Sequence, residues 1–151
     1  MVVIVIISII MSLAVLSFHD REGEREAREA RALAARLQAA REIALFNGED
    51  LGILFEHEGY RFLHYRDGQW VPADPDSPLR GRRLPEDLEL ELYLEGLRVD
   101  FDPRAEKLLP QVMILSSGEV TPFEVLIADG RRPDALLAVD ALGNAELEME
   151  T

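Results

Sequence analysis

Within 151 residues, 29 acidic side chains stand against 16 basic ones, a formal charge of −13, and cysteine is absent. A chain of that length has room for one small folded domain beside a helical extension, held by packing alone without disulfides or thiolate metal sites. Its excess of carboxylates, with no basic stripe, argues against nucleic acid and anionic lipid as partners of the folded part. The imbalance is local: from Gly48 onward there are 23 acids and 10 bases, whereas His19 to Asn47 balances six acids against six arginines.

Met1 to Phe18, MVVIVIISIIMSLAVLSF, is apolar apart from Ser8, Ser12 and Ser17. At about 1.5 Å per residue this run makes roughly 27 Å of helix, close to the roughly 30 Å hydrocarbon core of a bilayer. Val and Ile favour strand in water, yet an isolated segment in lipid must satisfy its own N–H and C=O groups, which a helix does. The expectation is a membrane helix over 1–18, offering Val3, Ile6, Ile7, Ile10, Leu13 and Leu16 to lipid or to like helices. A cleaved secretory signal fits less well, since no Lys or Arg precedes the run and its small-x-small triplet, Ser12-Leu13-Ala14, lies inside it. A buried core helix would need a larger domain around it than this chain can build.

From Asp20 the composition turns to Ala, Glu, Arg and Leu, strong helix formers, so the helix is expected to continue unbroken to Asn47, nearly fifty residues in all. Glu24 and Arg28 stand four apart, with Arg21/Glu24 and Glu22/Arg25 three apart, which predicts a solvated charged collar. Beyond it Ala27, Ala30, Ala34, Leu37, Arg41 and Ala44 form a stripe at helical spacing, with Leu33, Ala40 and Leu45 beside it, and this stripe is expected to face a sheet. Asn47-Gly48 tolerates positive φ and marks the helix end.

After Gly48 the period changes from 3.6 to 2. Leu51–Glu56 and Tyr60–Tyr65 read as a hairpin about His57-Glu58-Gly59, and Asp67-Gly68 turns the chain into Gln69–Val71. Pro72 to Asp87 holds four prolines and reads as a long surface loop. Leu88 to Glu95 alternates strictly, leucines inward and Glu or Tyr outward. Asp100 to Pro110 is irregular. Gln111–Leu115 and Phe123–Ile127 flank Ser116 to Pro122, Asp129-Gly130 leads to Ala135–Val139, and Gly143-Asn144 closes a last hairpin with Ala145–Met149. Strands without intervening helices, beside one long helix, give an α+β class: an antiparallel sheet or sandwich head over 48–151, carried by helix halves 1–18 and 19–47, with Leu33, Ala34, Leu37 and Ala44 as the helix-sheet packing.

No catalytic, cofactor or metal constellation emerges. His57 and His64, with Glu56 and Glu58 adjacent to His57, lack the three or four converging ligands a metal needs, and His19 lies in the collar. Ser116-Ser117-Gly118-Glu119 is not a nucleophile elbow, and no His with a following Asp is placed to activate Ser117. Glu89, Glu91 and Glu95 have the period of a solvent-facing strand rather than of an acid/base pair. Asp74, Asp76, Asp100 and Asp102 lie in loops without the spacing of a calcium hand. Neither a phosphate-binding glycine loop nor a dinucleotide fingerprint occurs.

Two stretches carry a family resemblance. Met1-Val-Val-Ile-Val-Ile-Ile-Ser-Ile resembles the interior of a type IV pilin-like N-terminal helix. Ile114 to Val125, ILSSGEVTPFEV, is similar to the strand-turn-strand of the minor pseudopilin H family of type II secretion, a group that includes the FimT-type pilins. In such chains a leader and a Gly-Phe-Thr-Leu-Ile-Glu-Leu stretch come immediately before; either that motif lies upstream of Met1 and this chain is truncated there, which is the expectation, or the chain is a remnant that no prepilin peptidase processes. The resemblance implies a non-enzymatic subunit without cofactors, a single-pass helix in the bacterial inner membrane with N-terminal methylation, and a periplasmic head. Its implied partners are other pseudopilins, major and minor, in a hetero-oligomeric pseudopilus, and the inner-membrane secretion platform; the family turn motif would be Ser116, Ser117, Gly118, Thr121, Pro122 and Phe123. A minor pilin of a type IV pilus, serving adhesion, DNA uptake or motility, is the alternative, and a membrane-tethered hydrolase or binding protein stands behind both. Charge adds one expectation: identical acidic heads stacked within about a Debye length, roughly 8 Å, repel one another, which favours a component present in few copies.

Overall fold

Glu24–Asn47 forms helix α1 in the computed structural model, which describes residues 23–131 and 133–150. The predicted span over 1–18, with Val3, Ile6, Ile7, Ile10, Leu13 and Leu16, and the collar residues Arg21 and Glu22 lie outside the described residues. Among those described, no helix is long and apolar enough to cross a membrane. Glu24 and Glu26 sit in the first turn of α1, where the partial positive charge of the helix end favours carboxylates. Gly48, φ 62°, ends the helix by placing its N–H on the Ala44 carbonyl.

The expected helix N-terminal to Gly23 lies outside the described residues. Gly23, at the start of α1, is left-handed, φ 79°, and a Cβ there would lie 2.7 Å from Pro133 Cγ and Met149 Cε. Glycine permits both the turn and the close packing.

Ten strands follow α1: β1 (Leu51–Glu56), β2 (Gly59–Arg66), β3 (Gln69–Pro72), β4 (Arg82–Arg83), β5 (Glu89–Leu94), β6 (Leu97–Arg98), β7 (Val112–Ile114), β8 (Phe123–Ala128), β9 (Asp134–Val139) and β10 (Ala145–Glu150). They form two five-stranded sheets. Sheet one has the order β3-β2-β1-β7, with β4 on β2; sheet two has the order β10-β9-β8-β5-β6. Every pairing is antiparallel, as short connections between consecutive strands require. Helix α1 lies along β7, β8, β9 and β10.

Alternation decides the interior. Leu51, Ile53 and Phe55 of β1, Tyr60 and Phe62 of β2, Leu90 and Leu92 of β5, Val125 and Ile127 of β8 and Leu137 of β9 are all buried with Leu33, Leu37 and Ala44 of α1 in one cluster. Each such side chain contributes about 1.5–3 kcal/mol on burial. The two sheets meet through Phe55 and Phe123, whose ring centroids are 5.6 Å apart. On α1, Ala34 is only half-buried and Leu45 is exposed.

One expectation is corrected. Pro72 to Asp87 is more than a surface loop: Arg82 and Arg83 pair with Tyr60 and Gly59, and Leu79 and Leu84 enter the core. Gly59 makes the pairing possible, since a Cβ there would collide with the Arg82 carbonyl. The strands on either side of Ser116 to Pro122 lie in different sheets. β7 belongs to sheet one and β8 to sheet two, so this segment carries the chain from one layer to the other.

Candidate functional site

The crossover at Ser116 to Phe123 is built by backbone hydrogen bonds in both directions. Leu115 N–H donates to Glu119 O at 2.8 Å and Gly118 N–H to Leu115 O at 2.8 Å, while Thr121 Oγ1 accepts from Met113 N at 3.0 Å. Ser116 N–H reaches the Asp50 carboxylate just beyond the end of α1, at 2.8 Å. Gly118 has φ 91°, and its carbonyl accepts from Arg41 Nε of α1 at 3.0 Å. Glycine is needed on this side because Leu45 lies where its side chain would be, 3.3 Å from a Cβ. Gly143 of the β9–β10 turn leaves room for the same Arg41, whose Nε would be 2.5 Å from a Cβ. Arg41 thus ties the helix end to both sheets' connections. Phe123 is buried against Phe55, Thr121 is half-buried, and Ser117 and Pro122 face outward.

Polar clamps hold the helix to sheet one. Glu29, read in sequence as part of the solvated run, is buried and takes Arg82 bidentately at 2.7 and 2.8 Å. Arg36 donates to Arg80 O at 2.7 Å and lies 5.9 Å over the ring of Tyr60. Burial pushes the Tyr60 phenol up to about 12. At the helix start the guanidinium of Arg25 grips the exposed Asp87 at 2.6 and 2.7 Å, and this hydrogen bonding holds the Asp87 carboxyl below the usual carboxylate range. In the β9–β10 turn Asp140 is held low by the Asn144 amide first and by backbone N–H groups after it.

The residues examined for chemistry fall apart in space. His57 sits at the β1–β2 turn, edge-on to Phe101 at 4.9 Å, while His64 is paired in register with Leu51 at the opposite end of the hairpin and faces Glu49 at 3.0 Å, which Arg66 also holds. No group of three or more His, Asp or Glu among the described residues is arranged to hold a metal. Ser117 Oγ accepts from Glu119 N at 3.4 Å within its turn. Glu89 and Glu91 lie on the outward side of β5, where Tyr93 donates to Glu91 at 2.6 Å and Arg98 stands 3.3 Å from it; Glu95 is in the following turn at φ 52°.

The outer faces of the sheets are the features sequence reading passed over. On sheet one, Gly52 receives Pro110 and Trp70 where its side chain would be, and Leu63, paired opposite it, is 0% exposed. The Gln111 amide accepts from Phe55 N at 2.8 Å and donates to Phe55 O at 3.1 Å, which fastens the preceding irregular segment along β1. A cleft of about 520 Å³ lies between that segment and the β1–β2 hairpin, lined by Phe55, His57, Phe101 and Leu109 among others. A glycine inside a strand was the available signal, since it marks close approach. On sheet two no buried apolar side chain lies on the outer face.

The family described as type II transport protein GspH matches residues 29–143. Type II secretion system protein H of Pseudomonas aeruginosa is 34% identical over 139 residues, covering 85% of this chain and 78% of that protein. The structure of the minor pseudopilin EpsH from the type II secretion system of Vibrio cholerae superposes with a TM-score of 0.72 at 26% identity, covering 84% of this chain and 97% of that one. The type IV minor pilin FimU of Pseudomonas aeruginosa shares the fold alone, with a TM-score of 0.52 at 18% identity over 82% of this chain and 87% of that one.

Proposed function

The chain belongs to the type II transport protein GspH family, and from that premise we propose how it acts as a structural minor pseudopilin in the export of folded proteins. The head carries no work of catalysis in this reading; it is a rigid block presented by a helix. The residues over 1–18 root it in the bacterial inner membrane and pack against the equivalent helices of other pseudopilins, with the 48–151 head on the periplasmic side and the secretion platform beneath. The observation that carries the reading is the extent of the family match, which runs from Glu29 of α1 to Gly143, takes in β1 to β9 and includes the Ser116 to Phe123 crossover. Arg41 on Gly118, with Leu33, Leu37 and Ala44 in the core, makes helix and head one body, so a push on the helix is delivered to the head. The type IV pilus alternative has only the fold behind it.

The test is co-purification from crosslinked membranes of cells making the full chain. Other pilin-like proteins should accompany it, with this chain in small amounts. Recovery of long homopolymers of this chain alone would overturn the proposal.

A further inference from the structure

Register arranges the outer face of sheet two in rows. Glu91 of β5 stands beside Leu126 of β8, then Leu136 of β9, then Glu148 of β10; the next row runs Tyr93, Glu124, Ala138, Glu146. Leu126, Leu136 and Ala138 on the two central strands make an apolar strip, bounded by Glu124 on β8 and by Glu91, Glu146 and Glu148 on the flanking strands. Leu126, Leu136 and Ala138 are half-buried, unlike Leu63 under its cover on sheet one. Of the carboxylates, Glu91 takes Tyr93 and Arg98, whereas Glu124, Glu146 and Glu148 are exposed and form no ion pair among the described residues.

One end of this face is concave. A cleft of about 340 Å³ opens beside the Tyr93 to Glu146 row, lined by Pro122, Phe123 and Val139 together with Glu95, Glu124 and Glu146. Its size is at the lower end of what a ligand group occupies. Apolar walls with carboxylates at the rim suit an arginine or lysine side chain, whose stem is apolar and whose head is cationic.

Resting on the reading of this chain as a pseudopilin, we propose that the outer face of sheet two docks a different pilin-like chain through a segment with an apolar centre and basic flanks. The apolar centre seats on Leu126, Leu136 and Ala138, and the cations meet Glu124, Glu146 and Glu148. Charge disfavours a second copy as the occupant: each copy carries a net charge of −13, and Arg61, Arg66, Arg82 and Arg83 are already engaged with Glu56, Glu49, Glu29 and Glu58. A free cation would leave the apolar strip unused.

The experiment places a photoreactive amino acid at Leu136 of the full chain in secreting cells, with Gln69 on the exposed edge of sheet one as the control position. Irradiation should give an adduct with a pilin-like chain other than this one, at a peptide containing Lys or Arg. The variant Glu124→Gln/Glu146→Gln/Glu148→Gln should lower that adduct about tenfold while its thermal midpoint stays level or rises. Adducts with a second copy only, a yield no higher than at Gln69, or a yield indifferent to the triple variant would each overturn the docking face. If the Leu136 adduct fails while other pilin-like proteins still co-purify, the docking face falls and the pseudopilin reading stands; loss of co-purification as well removes both.

Discussion

The same chain treats the outer faces of its two sheets in opposite ways. On sheet one it lays its own irregular segment against β1, sinks Pro110 and Trp70 onto Gly52 and buries Leu63 completely. On sheet two it leaves Leu126 and Leu136 half-open between exposed glutamates. Both faces sit over a shared core, so stability does not require the second to be bare. A covered face adds to folding; an uncovered apolar strip adds less and is left open for contact with a partner.

Substitutions can break this contrast at graded depth. The deepest is Leu37→Asp, which places an unpaired carboxylate in the core beneath both sheets and should cost ~4 kcal/mol or more, read as loss of the cooperative melting transition. Leu63→Ala, on the covered face, should cost about 2–5 kcal/mol in denaturant unfolding, whereas Leu136→Ala on the open face should cost under about 1 kcal/mol; equal costs would erase the contrast. Gln111→Ala removes the partner of both Phe55 backbone groups and should cost about 1–3 kcal/mol, with faster amide exchange at Phe55. Tyr60 gives a pH test of the core under sheet one. Burial raises its pKa from the ordinary phenol value of 10.0 to about 12, so its contribution is complete below pH 10 and is lost as pH rises through about 12. Tyr60→Phe should flatten that alkaline limb in pH-resolved melting. At the small end, Arg28→Ala breaks only an exposed 3.8 Å contact with Glu24 and should change stability by a few tenths of a kcal/mol.

How far these features were legible follows from what sequence periodicity reports. Period-2 alternation tells which side of a strand is apolar, so Leu88 to Glu95 and the hairpin at His57-Glu58-Gly59 could be read directly. It does not name a strand's partner, so that β7 and β8 lie in different sheets could not be read from it. Glu29 read as solvated because its partner Arg82 is 53 residues away. The pairing of Arg82 and Arg83 sat hidden among prolines, and the left-handed Gly23 depends on Pro133 and Met149 packing against it from the far end of the chain. The outer faces were half legible: the glutamates of β5 and β10 are plain in the sequence, but only the register sets Leu126 and Leu136 between them.

The absence of cysteine from the chain allows the central claim to be measured directly. Single variants Leu63→Cys and Leu136→Cys, made in the full-length protein, can be exposed to a small thiol reagent both as purified subunit and in membranes with the secretion machinery assembled. The account predicts that Cys at 63 reacts slowly in both states, while Cys at 136 reacts quickly in the purified subunit and becomes protected on assembly. Equal reactivity of the two positions in the purified subunit, or undiminished reactivity at 136 in the assembled state, would contradict it.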